Sequence, residues 1–171
     1  MGNALQQLNM IYVPEQDRLL LRISTSGDAE FRIWLTRRYC GLLLQILVDR
    51  IEREGGYQEL ASRQQTLEQL RGGALTKPYA PGPNLHYPLG EQGVLGYRIN
   101  IGHVDGDSGK ATEVSDKKSS AMNLQLLPEN GTGITFTLDK STLYMLYNVL
   151  EQALEQTDWN LRMPRGRDPV H

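Results

Sequence analysis

The sequence predicts an α+β protein made of two tandem β-β-β-α units, with antiparallel sheet and two long amphipathic helices packed on its apolar face. Three observations carry this. Apolar residues alternate at period two in paired short runs, each pair runs into a stretch of helical period, and the two sets match without gaps over about thirty residues. With Leu35 set against Leu138, Leu21 meets Leu124, Ile23 meets Leu126, Phe31 meets Ile134 and Ile33 meets Phe136. Further on, Leu42, Leu43, Ile46 and Leu47 meet Met145, Leu146, Val149 and Leu150.

The first unit spans residues 8–55. A strand over 8–13 is stopped by Pro14, which has no N–H for a ladder. Leu19, Leu21 and Ile23 then alternate with Leu20, Arg22 and Ser24. The turn Ser26-Gly27-Asp28 follows, with Gly27 expected to supply the positive φ, and then Phe31, Ile33 and Leu35 alternate with Glu30, Arg32 and Trp34. Thr36 is an N-cap type, whose oxygen can accept from a free N–H of the first turn. Tyr39, Leu42, Leu43, Ile46, Leu47 and Ile51 are spaced as a helix that Gly55-Gly56 ends.

A connector over 56–96 reads as a short helix at 57–70 followed by an extended, proline-rich stretch at 77–88. The second unit, 97–160, repeats the pattern. A strand runs from Tyr97 to His103, a polar loop covers 105–120, and strands at 122–127 and 134–138 flank the turn Pro128-Glu129-Asn130-Gly131. Asp139 caps a helix with Leu143, Leu146, Val149, Leu150, Ala153 and Leu154 on one side. Residues 1–160 are read as one domain and 161–171 as a flexible tail. Whether the units share one sheet or form two layers stays open.

Composition narrows the function classes. The 171 residues suffice to bury a core, and a net charge of −2 lacks the cationic excess of a dedicated nucleic-acid binder. The single cysteine, Cys40, rules out an internal disulfide, and its place beside the apolar stripe reads as a buried, inert thiol. No run approaches the roughly 18 apolar residues of a membrane span, and the first residues carry no signal-peptide pattern, so no membrane contact and a cytoplasmic setting are expected.

The run Phe31-Arg32-Ile33-Trp34-Leu35-Thr36-Arg37-Arg38-Tyr39, with Gly131-Thr132-Gly133-Ile134 and Leu138-Asp139, resembles an uncharacterised family of small bacterial proteins over most of the chain. The resemblance implies a proteobacterial origin and an intracellular setting, and carries no functional residue across. In architecture, tandem strands-then-helix units are similar to the Whirly, PUR-repeat and PC4-type single-stranded nucleic-acid binders. Those use four strands per unit where three are counted here.

The most distinctive polar surface is the outer face of the first unit. Arg22, Arg32 and Trp34 point away from the expected core, and Arg37 and Arg38 open the helix, where their charge opposes the macrodipole. Arginine beside an exposed aromatic can pair phosphates and stack bases. The plainer reading covers Trp34 with the connector or a partner and pairs the arginines with local acids.

Other motifs fall short. Gly106-Asp107-Ser108-Gly109 has a serine but no spacing that brings a base and an orienting acid to it. Asp105, Asp107, Glu113 and Asp116 follow an EF-hand pattern that puts Lys110 where glycine is required. His86, His103 and His171 have no ligand spacing.

No catalytic residue, cofactor or metal is expected. The expected role is a non-catalytic interaction or assembly module that self-associates or docks a protein partner. The alternatives are a single-stranded nucleic-acid module using Arg22, Arg32, Trp34, Arg37 and Arg38, and an enzyme whose site the spacing does not reveal.

Overall fold

The computed structural model describes residues 5–54, 83–103 and 122–161. The expected helix at 57–70, the loop at 105–120 with Ser108 and the EF-hand-like acids, His171 and all but the first residue of the tail lie outside these residues.

Seven strands and two helices follow in order: β1 (Leu5–Val13), β2 (Arg18–Thr25), β3 (Glu30–Leu35), α1 (Arg37–Glu54), β4 (Val94–Leu95), β5 (Arg98–His103), β6 (Met122–Leu127), β7 (Ile134–Leu138) and α2 (Lys140–Glu155). They form an α+β structure with two sheets, ordered β1-β2-β3-β4 and β5-β6-β7. All pairings are antiparallel except β3 with β4.

Period-two patterning sorts each sheet into two sides. Leu19, Leu21 and Ile23 of β2, Ile33 and Leu35 of β3, and Leu124 and Leu126 of β6 are buried, while Arg22, Arg32, Gln125 and Thr135 face the other way. On the helices, Leu43, Leu47 and Ile51 of α1 and Leu146 and Leu150 of α2 are fully buried. Both sheets and both helices contribute to one apolar cluster. Helix α2 packs against α1, β7 and β1, so the second helix also covers the edge strand of the first sheet.

Each helix starts at a side-chain cap. Thr36 Oγ1 accepts from Tyr39 N at 3.2 Å, and Asp139 Oδ1 accepts from Thr142 N at 2.7 Å. Among the described residues no helix is long and apolar enough to cross a membrane.

Five local expectations are corrected. The first strand begins at Leu5 rather than residue 8, and the strand expected from Tyr97 begins at Arg98. In the β2–β3 turn the positive φ belongs to Asp28 (φ 55), not Gly27. Its carbonyl accepts from His86 N at 2.9 Å, and aspartate tolerates this region better than most residues. The proline-rich connector ends in a fourth strand, β4, laid parallel to β3. Leu42, expected in the buried stripe, is 45% exposed. Leu42, Leu43 and Leu44 together sweep about 200° of helix surface, more than the face α1 buries.

Candidate functional site

Arg22, Arg32 and Trp34 share the outer face of the first sheet. Arg22 stands opposite Arg32 across β2 and β3, and Trp34 is two positions along β3 on the same side.

A strap formed by residues 86–95 crosses this face. It starts where Glu30 N donates to His86 O at 2.9 Å and ends where β4 pairs with β3. Arg32 holds it: Nη1 donates to Glu91 O at 2.8 Å, and the guanidinium carbon lies 4.5 Å from the Tyr87 ring centroid. Arg32 Nε also pairs with Glu30 Oε1 at 2.6 Å, which compensates a carboxylate that is fully buried. Trp34 Nε1 donates to Gln92 O at 2.8 Å. Arg22 Nε and Nη2 donate to Asn9 Oδ1 at 3.0 and 2.6 Å.

Strap geometry depends on Gly93. Its φ of 77 favours glycine, and a Cβ there would lie 2.7 Å from Arg32 O. Arg32 and Trp34 therefore serve the fold as strap anchors.

Arg37 and Arg38 are exposed at the start of α1. Arg38 lines a groove of about 330 Å³ with Thr36, Tyr39, Leu42, Leu95, Gly96, Tyr97 and Arg98. Two stretches of chain build it: the first turns of α1, and residues 95–98 running from the end of β4 into β5.

The groove floor is set by close packing. Gly96 is buried, and its N–H donates to Trp34 O at 2.8 Å. The absent Cβ leaves room for the Tyr39 ring, which a side chain at 96 would meet at 3.0 Å. Tyr39 Oη donates to Arg98 O at 3.0 Å and so ties α1 to the first strand of the second sheet. Burial pushes the Tyr39 hydroxyl above the usual tyrosine range and the adjacent Cys40 thiol up to about 12, which keeps the thiol protonated and unreactive.

Above this floor stand Leu42, Leu95 and Tyr97, exposed by 45, 42 and 60%. Apolar side chains scattered singly on a surface are ordinary, but three gathered at one concavity are not. Among the described residues, neither Arg38 nor Arg98 has an ion-pair partner.

Of the five residues expected at the site, three lie on the outer face and Arg38 alone reaches the groove. Sequence reading misses Leu42, Leu95, Tyr97 and Arg98. The one signal for Leu42 is the triple leucine, since a helix buried on one stripe cannot hide all three. Nothing in the chain spacing links position 42 to positions 95–98.

Among the described residues no group of three His, Cys, Asp or Glu side chains is placed to hold a metal ion. Compared with family models, curated proteins and solved structures, the chain matches none.

Proposed function

We propose that the chain is a non-catalytic interaction module and that the groove between α1 and the β4–β5 link is its docking site. The observation that carries this is the convergence of Leu42 of α1 with Leu95 of β4 and Tyr97 of the link into β5, from two stretches far apart in the chain, at one solvent-open concavity. Tyr97 supplies a large amphipathic contact with little side-chain freedom to lose, a type favoured at recognition surfaces.

The test is site-specific photocrosslinking in native lysate, with the photoprobe at position 97 and a control probe at exposed Glu129. A discrete adduct from position 97 alone supports the reading, and an adduct of twice the chain mass identifies self-association. If position 97 gives no adduct, or the same adducts as position 129, the reading falls.

The scaffold beneath the groove is proposed to be a duplicated unit. Supporting this, β2 pairs with β3 as Leu19↔Leu35 and Leu21↔Ile33, and β6 pairs with β7 as Met122↔Leu138 and Leu124↔Phe136, the same pairs that the gapless sequence match sets against each other. Leu21 and Leu124 are both fully buried in the middle strand of their antiparallel trio.

A second reading, single-stranded nucleic-acid binding, is favoured by the common face of Arg22, Arg32 and Trp34. The strap bonds of Arg32 and Trp34 weigh against it. Anisotropy with labelled oligonucleotides at low salt tests it through Arg22→Ala, which leaves the strap anchors intact. No binding at tens of micromolar protein, or binding indifferent to this substitution, removes it.

A further inference from the structure

We infer that the groove takes an acidic, apolar peptide segment of another protein, with Arg38 and Arg98 reading its carboxylates. This rests on the groove being a docking site, and it adds the chemistry of what docks.

Charge complementarity carries the inference. Arg38 and Arg98, both exposed, line an apolar concavity, and among the described residues neither has a carboxylate to pair with. An arginine stem can cover apolar surface while its head keeps paired donors that match a carboxylate in two-point geometry. The α1 N-terminus lies at the same rim and adds positive potential. Leu42, Leu95 and Tyr97 then require apolar side chains between the acids.

The setting suits a short extended segment. The groove runs along the β4–β5 link, and both strands are edges of their sheets, with no described strand on their outer side.

The other occupants fit less well. A nucleic acid needs a track of cations and stacking platforms, whereas this groove offers two arginines, aliphatic walls and one exposed aromatic in a chain of net charge −2. Two copies meeting groove to groove would bring Arg38 and Arg98 of one against those of the other, which like-charge repulsion opposes.

The test uses the full chain and three fluorescein-labelled peptides of equal length, alternating leucine with glutamate, glutamine or lysine. Binding is read by anisotropy at low salt and located by amide shift mapping. The glutamate peptide is expected to bind, to shift residues 95–98, and to weaken on the order of tenfold with either Arg38→Glu or Arg98→Glu. The doubly reversed protein is expected to prefer the lysine peptide, a gain that misfolding cannot produce.

Equal binding of the three peptides at residues 95–98 overturns the acidic partner while leaving the docking groove standing. Absence of shifts at 95–98 with every peptide overturns both. Shifts there from an oligothymidine and not from the glutamate peptide transfer the groove to nucleic acid, and a mass that doubles with concentration while these residues lose exposure transfers it to a second copy. Either of these results overturns the inference.

Discussion

Trp159 Nε1 donates to Asp17 Oδ1 at 2.8 Å, joining positions 142 apart. The same oxygen accepts from Tyr12 Oη at 2.9 Å, and the Tyr12 and Trp159 rings meet edge to face at 5.8 Å. Two donors from opposite ends of the fold therefore converge on one carboxylate in the β1–β2 turn. The residue just past α2 is bolted to the first hairpin. Asp17 also holds φ 49, which aspartate and asparagine tolerate and alanine does not.

Asp17→Ala is therefore expected to lower the urea midpoint more than Asp17→Asn, which keeps an acceptor and suits the backbone. Trp159→Phe keeps most of the packing and loses one part-buried hydrogen bond, a cost of about 1 kcal/mol. The hydrogen bond to Asp17, and secondarily partial burial and nearby negative charge, raise the Tyr12 hydroxyl above its ordinary 10.0. Tyrosine-resolved NMR titration should show that value falling in Asp17→Ala. An unchanged Tyr12 titration would remove Asp17 as the cause.

Gly133 follows a different rule. A Cβ there would overlap the Leu126 carbonyl oxygen, so the requirement is close backbone approach between β6 and the start of β7. Gly133→Ala is expected to cost at least about 2 kcal/mol, because backbone rather than a side-chain tip must move. Gly102 on β5 has nothing within 4 Å of its Cβ position, and Gly102→Ala should be neutral or slightly stabilising. Urea denaturation of the pair decides this, and equal costs would refute the steric account.

The contrast between these glycines shows what the chain makes legible. Strands β2, β3, β6 and β7 and both helices were readable because each is long enough to display its period. Strand β4 was not, because Val94–Leu95 is too short to show alternation and is held by pairing with β3. The outer-face arginines were legible as residues on one side of a strand, but the strap partners of Arg32, Glu91 and Tyr87, come from far along the chain. Only the Glu30–Arg32 pair sits at a spacing that places both side chains on one face. The groove was invisible for the same reason as the strap, since it exists only where α1 meets the β4–β5 link.

The helix starts supply a graded pair. The Asp139 bond is short and puts a carboxylate at the positive end of α2, whereas Thr36 offers a neutral hydroxyl at 3.2 Å. Asp139→Ala is expected to cost about 1–2 kcal/mol and Thr36→Ala about 0.5–1 kcal/mol. Exposed Arg37 opposes the dipole of α1, whose first turn carries no acid, so Arg37→Glu should stabilise by about 0.3–1 kcal/mol at low salt and less at high salt. Thermal melts at two ionic strengths check the three together. A salt-independent Arg37→Glu effect would rule out the dipole as its source.

Alkaline sensitivity follows from the burial beneath the groove. The Cys40 thiol is raised from 9.0 to about 12, and the Tyr39 hydroxyl is raised above its ordinary 10.0. Both groups release protons more readily from the unfolded chain. Their stabilising contribution is complete below about pH 9 and is lost as pH climbs through the folded-state values. Each group in its window adds a slope of up to about 1.4 kcal/mol per pH unit. Urea midpoints between neutrality and pH 10.5 should therefore fall. Cys40→Ala should flatten the portion from pH 9, at a modest constant cost for the lost thiol. Tyr39→Phe loses the bond to Arg98 O at every pH, about 1 kcal/mol, and flattens only the portion above pH 10. If both variants keep the wild-type slope, the alkaline transition belongs to other groups, and the interior beside the groove is wetter than its packing indicates.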